Sequence, residues 1–190
     1  MLDYIEVVGD VTSFQGALQV SIKRVRKARE GEYIEEDYLP VSERNIDEMY
    51  EELLTYVHKI ENPYLKQLTD SYFVENEAFI KAFKGHSAAK SVHHSFIGGL
   101  LMHTGNMLKL ADFLSDLYAD TVDRSLLLAG TFAHDLQKES EFALSQLGLV
   151  TDYTVKGQLL GHLVMGAQEI AEISALLTIP EDKSVLLQHM

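Results

Sequence analysis

The sequence predicts a mainly α-helical protein that begins with a small β-hairpin. Residues 1–38 are rich in β-branched and aromatic side chains, and apolar residues come close to a period of two between Leu18 and Val25. After Pro40 the apolar residues recur instead about every 3.6 positions, as they do on one face of a helix. Hydrophobic residues make up 46% of the 190 residues, which is enough to build one core.

The N-terminal segment is predicted to form a hairpin with one apolar and one polar face. We expect a first strand over residues 5–11, a turn over residues 12–16 and a second strand that ends near Val25. A hairpin by itself is only marginally stable in water. We therefore expect this hairpin to pack on other strands, on a helix or on a partner chain.

Capping signals mark the helices that follow. Asn45 with Glu48 matches a capping box, and Asn62 with Pro63 predicts the start of the next helix. Further helices are expected over residues 77–83, 95–118, 124–136, a stretch that ends at Gly148, residues 155–177, and a last helix after Pro180. The amphipathic pattern is still in progress at Met190, so we expect the helical part to be C-terminally incomplete.

Composition excludes several classes of site. With 16 Lys and Arg against 29 Asp and Glu, the net charge of −13 argues against a general polyanion binder. Any contact with nucleic acid must then use a local basic patch or a metal ion. The chain has no cysteine, which excludes disulfides, thiolate zinc sites and cysteine nucleophiles and fits a cytoplasmic location. No apolar run is long enough to predict a membrane span.

Histidines on three separate apolar segments predict a metal site. His103, His134 and His162 each lie beside glycines in such a segment, and Asp135 directly follows the second of them. An isolated His-Asp pair is more often a capped helix end than a ligand pair. Three such histidines together favour convergence on one divalent ion, and imidazole plus carboxylate without thiolate suits Mn, Fe, Ni, Co or Zn.

The local motifs carry a resemblance to a known family. Residues 88–104, 127–135, 157–166 and 186–190 resemble the YhaM-type HD-domain 3′-5′ exoribonucleases, and the resemblance covers nearly the whole chain. That family joins an N-terminal OB-fold to a helical HD domain. The resemblance therefore implies a partial OB-fold-like β segment over residues 1–40 and an HD-type helical bundle over residues 41–190.

The resemblance also implies roles for individual residues. Its metal ligands would be His103, His134, Asp135 and His162. Asp135 would be catalytic and bridge two ions, with His162 serving the second. Lys138 would be catalytic by neutralising phosphate charge, and Lys90 and His94 would touch the substrate backbone. The family pattern has glycine at the position of Gln137, so a side chain stands here where glycine lets the backbone come close.

The predicted function is divalent-metal-dependent 3′-5′ exonuclease activity on single-stranded RNA, with DNA as a second substrate. A metal-activated water would be the nucleophile. We expect Mn²⁺, with Fe, Co, Ni, Zn and Mg as alternatives. Two other functions stay open: an HD-type phosphohydrolase of a nucleotide or cyclic nucleotide, and a non-catalytic nucleic-acid- or nucleotide-binding protein with a degenerate site. The apolar face of the hairpin also suggests a homo-oligomer.

Overall fold

A computed structural model describes residues 4–33, 38, 41–89, 94–144 and 150–190. Within these ranges a hairpin precedes a bundle of helices, which confirms the mainly α class. No helix in this part of the chain is long and apolar enough to cross a membrane. The elements are β1 (Ile5–Phe14), β2 (Ala17–Lys27), α1 (Ile46–Val57), α2 (Pro63–Phe73), α3 (Glu77–Gly85), α4 (Gly99–Leu117), α5 (Arg124–Ala133), α6 (Lys138–Glu141), β3 (Phe142–Leu144), β4 (Val150–Tyr153), α7 (Val155–Leu176) and α8 (Glu181–His189).

The first hairpin turns more tightly than its sequence predicts. Strand β1 continues to Phe14, so the turn consists of Gln15 and Gly16 alone and the predicted turn over residues 12–16 is too long. Both turn residues have positive φ, 51° and 84°. A two-residue loop with this backbone matches the right-handed twist of the strands.

A β-bulge explains the irregular spacing in the second strand. Val8 pairs with Arg24, but the next residue, Gly9, pairs with Ile22, so β2 contains one extra residue. The bulge returns Ile22 and Val25 to one face although they are three positions apart. Large apolar side chains of that face remain exposed in the hairpin. The division of the chain near residue 40 stays a prediction.

The helices surround one core of buried apolar side chains. Leu53, Leu65 and Leu108 are each 0% exposed, and they come from α1, α2 and α4. The predicted caps are present: Asn45 accepts hydrogen bonds from the first turn of α1, and Asn62 does the same for α2. Helices α4 and α5 pack against each other, and the start of α4 meets the end of α5 at the candidate site.

Helix α4 begins at Gly99, not at residue 95. Gly98 takes a left-handed conformation with φ 81° and ends the preceding loop. A Cβ on Gly99 would lie 1.9 Å from the backbone oxygen of His94, so only glycine fits there. The glycine pair therefore lies at a helix start and not in a helix interior. The close approach that requires glycine here is made by the backbone of the preceding loop.

The region after α5 also differs from prediction. Helix α5 ends at Ala133, before the expected residue 136, and α6 is a single short turn. The helix predicted toward Gly148 is present only as α6 and is wrong after Glu141, because Phe142–Leu144 pairs with Val150–Tyr153 as an antiparallel hairpin. Gly148 itself lies outside the described residues. Tertiary contacts decide this segment over its helical propensity.

Candidate metal centre

Three predicted ligands meet where α4 and α5 come together. His103 lies in the second turn of α4, His134 caps the end of α5, and Asp135 follows it. Nε2 of His103 lies 3.3 Å from Nε2 of His134, and Oδ2 of Asp135 lies 3.5 Å and 3.4 Å from these nitrogens. Among the described residues these three form the group that could hold a metal ion.

The triangle of donor atoms has the size that one divalent ion requires. Nitrogen and oxygen ligands bind zinc at about 2.0–2.2 Å, and a tetrahedral arrangement then separates neighbouring ligand atoms by about 3.3–3.6 Å. All three observed separations fall in this range. The donor set of two imidazoles and a carboxylate also suits a hard or borderline ion. The residues present therefore fit a divalent metal.

Backbone contacts fix the orientation of His134. Its Nδ1 lies 2.6 Å from the carbonyl oxygen of Thr131, which can only accept a hydrogen bond. Nδ1 must therefore carry the hydrogen, which leaves the lone pair of Nε2 pointing at His103 and Asp135 when the ring is neutral. Metal-ligating histidines are commonly oriented in this way by a carbonyl on the second nitrogen.

A fourth predicted ligand lies on the other side of Asp135. Nε2 of His162 is 3.3 Å from Oδ1 of Asp135, whereas the first two histidines face Oδ2. Its Nδ1 lies 2.9 Å from Oε1 of Glu141, a carboxylate of the short helix α6. One carboxylate group thus lies between two sets of imidazole nitrogens. This is the arrangement of a carboxylate that can bridge two cations.

The electrostatics of the group follow from burial and from the Asp135 charge. Burial and the neighbouring histidines lower the pKa of His103, against the attraction of Asp135. Burial opposes the charged form of His134, but the hydrogen bond and charge of Asp135 outweigh it and raise the pKa. Burial would raise the pKa of Asp135, yet the contacts with His134 and the charge of Lys138 lower it. Asp135 is thus an anion at neutral pH.

The chain has sequence relatives among proteins of known name. It is 34% identical over 188 residues to the 3′-5′ exoribonuclease YhaM of Bacillus subtilis, an alignment that covers 98% of this chain and 57% of the relative. The Bacillus licheniformis protein of that name is 35% identical over the same shares. The one from Listeria welshimeri is 32% identical over 98% of this chain and 58% of its own length.

The chain is homologous to YhaM-type proteins. This confirms the resemblance that the histidine motifs predicted. The chain spans about 57% of the length of these relatives. No protein-family model and no solved structure matches it.

A cavity of about 250 Å³ opens beside the triangle in this YhaM-like chain, and its lining contains two further predicted residues. The ring of His94 lies 5.7 Å from that of His103, on a backbone with φ 60°. Its carbonyl oxygen accepts hydrogen bonds from the N–H of Ala88 and from the hydroxyl of Ser87. Lys138 lines the same cavity, so both side chains face the space next to the ligands. Lys90 lies outside the described residues.

Two buried residues near the candidate site carry no clear signal in the sequence. Glu141 is 5% exposed and contacts His162 and Lys138. His86 caps α3, yet it is only 2% exposed and its ring stacks near that of Phe142. The one sequence signal for Glu141 is its position three residues after Lys138, a spacing that allows an ion pair on a helix.

Proposed function

We propose that this chain provides the metal centre of a divalent-metal-dependent 3′-5′ exonuclease acting on single-stranded RNA. The observation that carries the proposal is the triangle formed by His103, His134 and Asp135, whose edges of 3.3–3.5 Å suit one cation. The names of the relatives supply the reaction class and the direction of attack. Phosphodiester hydrolysis at such a site needs no protein nucleophile, in keeping with a chain that lacks cysteine.

The first ion would be held by the triangle, and a second by His162 with the remaining oxygen of Asp135. A divalent ion supplies Lewis acidity toward the attacking water and the phosphodiester oxygens. We propose Mn²⁺ for this role, with Fe, Co, Ni, Zn and Mg as alternatives, because the donors are nitrogen and oxygen. In this arrangement Asp135 would hold both ions at a fixed separation.

Substrate would enter the cavity that His94 and Lys138 line. The ammonium group of Lys138 would offset phosphate charge next to the ligands, and His94, together with Lys90, would contact the backbone. The basic run of the first hairpin is a weaker candidate for an RNA track. Lys23 pairs with Asp10 at 2.5 Å, and Arg26 pairs with Glu6 and Glu32, so carboxylates partly neutralise these cations. We assign RNA contact to the cavity because it adjoins the candidate metal ligands, although Lys138 also has a carboxylate partner in Glu141.

Three further expectations belong to this proposal. DNA is a second substrate, since contacts made to the phosphate backbone do not depend on the sugar. The chain acts in the cytoplasm, a reducing compartment that suits a sequence without cysteine. Association of two copies through the exposed apolar face of the first hairpin would bury side chains such as Leu18, which is 80% exposed. Sedimentation velocity at two protein concentrations tests this association.

A labelled-RNA assay tests the activity. Single-stranded RNA with a 5′ label is incubated with the chain and Mn²⁺, beside Asp135→Asn and a chelator. We expect a ladder that shortens from the 3′ end and disappears in both controls. Glu139→Gln is the matched variant, because this carboxylate lies on α6 but outside the ligand group, and it should keep the activity.

Other outcomes of the assay identify the alternatives. Trimming by Asp135→Asn at the rate of the unchanged chain would rule out the proposed centre. Tight RNA binding without product under any divalent metal would indicate a binding protein with a degenerate site. Preferential hydrolysis of mononucleotides or cyclic nucleotides over RNA in a competition assay would indicate the nucleotide phosphohydrolase.

A further inference from the structure

Helix α7 is broken one residue before its histidine. Gly161 has φ 72° and ψ 161°, far from helical values, so the backbone changes direction there. The N–H of His162 donates instead to Oε1 of Glu141 at 3.1 Å. Side chains that cap helices accept from backbone N–H groups in this way. Here the capping carboxylate comes from a different helix, and it caps the second half of α7.

The same carboxylate oxygen also holds the imidazole. Oε1 of Glu141 lies 2.9 Å from Nδ1 of His162. Both ring nitrogens face carboxylates, but the contact with Glu141 is the shorter one and has hydrogen-bond geometry. Nδ1 therefore carries the hydrogen, and Nε2 presents a lone pair when the ring is neutral. That lone pair faces Oδ1 of Asp135 at 3.3 Å. Two acceptors at this distance need a proton or a cation between them.

Glu141 is itself fixed at several points. Its side chain is buried, and Oε2 lies 3.3 Å from the ammonium group of Lys138. Its backbone oxygen accepts from the N–H of Thr154 at 2.9 Å. The backbone of α7 approaches it so closely that a Cβ on Gly157 would lie 2.2 Å from that oxygen. The carboxylate therefore has little freedom to leave His162.

We propose that Glu141 is a positioning residue that prepares His162 to bind a divalent cation through Nε2. It does so by capping the break at Gly161 and by fixing the hydrogen on Nδ1. This inference rests on the proposed metal centre and extends it to a residue outside the ligand group. A buried carboxylate costs free energy unless charged and hydrogen-bonded partners compensate it, and here those partners are His162 and Lys138.

Nitrogen NMR of the metal-free chain tests the proposal without any activity. Long-range ¹H–¹⁵N spectra at a pH where His162 is neutral show which ring nitrogen carries the hydrogen. We expect the Nδ1–H form in the unchanged chain, whereas free imidazole side chains favour Nε2–H. Glu141→Gln keeps an acceptor oxygen and should keep the Nδ1–H form. Glu141→Ala should shift the ring toward Nε2–H.

A Mn²⁺ titration followed by electron paramagnetic resonance measures the consequence for binding. Loss of an orienting partner of a metal ligand lowers affinity by about 10- to 100-fold. We expect that loss in Glu141→Ala for the ion that uses His162, a smaller loss in Glu141→Gln, and no change in the control Glu139→Gln. The ion held by His103 and His134 should bind all of these variants alike.

Two results would overturn the inference. One is an Nε2–H ring at His162 in the unchanged chain, a measurement that needs no variant to fold. The other is a folded Glu141→Ala variant with an unchanged ring form and an unchanged Mn²⁺ affinity. An absence of RNA trimming with the expected ring form and affinities would instead count against the exonuclease proposal alone.

Discussion

Oδ1 of Asp135 lies 3.3 Å from Nε2 of His162, an imidazole whose other nitrogen is hydrogen-bonded to a buried carboxylate. The shorter contact places the hydrogen of a neutral ring on Nδ1, so the facing nitrogen and oxygen are both acceptors. The second oxygen of Asp135 repeats this relationship with His134, whose Nδ1 is committed to a carbonyl. In both cases either a proton or a metal ion can occupy the space between the two acceptors. Protonation of the ring therefore competes with metal binding.

Mn²⁺ affinity should rise with pH because of this competition. Asp135 raises the pKa of His134 against the effect of burial, so the ring stays protonated to a higher pH than a free histidine, whose pKa is about 6.5. Protonated imidazole cannot bind the ion. We expect stronger binding and fewer released protons as the pH increases through the pKa of His134, measured by calorimetry in buffers of different ionisation enthalpy.

The control for that measurement is His58→Gln, which removes an exposed histidine at the end of α1. It should leave the pH profile unchanged. An affinity that does not depend on pH over the neutral range would contradict competition between proton and metal at His134.

Gln137→Gly should lower stability without improving metal binding. The YhaM-type pattern has glycine here, but the backbone of Gln137, with φ −97° and ψ 13°, lies in the bridge region, which does not require glycine. Glycine at such a position mainly increases the entropy of the unfolded chain, which costs about 0.4–1 kcal/mol. Urea unfolding should show this decrease, while Mn²⁺ affinity stays the same. A clear gain in affinity would mean that the Gln137 side chain does obstruct the site.

The histidines that converge at the candidate centre could be picked out from sequence, whereas the residues that support them could not. His103, His134 and His162 lie in apolar segments, where an ionisable group is unusual enough to attract attention. Glu141 follows Lys138 and Glu139 in a polar stretch, and its burial arises only when α7 packs across α6. The burial of such a residue depends on contacts between segments that are distant in sequence, and local sequence patterns do not reveal these contacts.

The same distinction applies to the fold. Helix starts with local caps, such as those at Asn45 and Asn62, were predicted to the residue because the interactions lie within one turn. The start of α4 was not, because the deciding contact joins Gly99 to the backbone of His94. The hairpin of β3 and β4 depends likewise on pairing across an intervening loop.

Tyr50 should make the chain sensitive to alkali. Its hydroxyl donates to the backbone oxygen of Phe73 at 2.5 Å, and burial together with Glu51 raises its pKa to about 12. In the unfolded chain tyrosine has a pKa of about 10. The stabilisation is complete below the unfolded value and is lost as the pH rises from about 10 to about 12.

Urea unfolding between pH 8 and 11 measures this loss. Tyr50→Phe should be less stable than the unchanged chain at pH 8 by about 1 kcal/mol, the contribution of a hydrogen bond. The difference should shrink toward pH 11, because phenylalanine has no proton to lose. Equal slopes of stability against pH in both proteins would show that the pKa of Tyr50 is the same in the folded and unfolded chains.

Gly157→Ala should disrupt the packing that holds His162 in place. Glycine is required at this position, since a Cβ would lie 2.2 Å from the backbone oxygen of Glu141. Helix α7 must move away to accept alanine, and overpacking of this kind costs about 1–3 kcal/mol. Because Glu141 and His162 lie on the two sides of that contact, the variant should also bind Mn²⁺ more weakly.

Gly166→Ala provides the matched control on the same helix. Nothing lies within 4 Å of a Cβ built there, so alanine meets no obstacle. Its higher helix propensity should stabilise the chain by about 0.5–1 kcal/mol. Thermal unfolding and Mn²⁺ titration of both variants separate overpacking from helix propensity. Gly157→Ala should lower both the melting temperature and the Mn²⁺ affinity, whereas Gly166→Ala should raise the melting temperature and leave the affinity unchanged. Similar behaviour of the two alanines would show that α6 and α7 do not approach each other at Gly157.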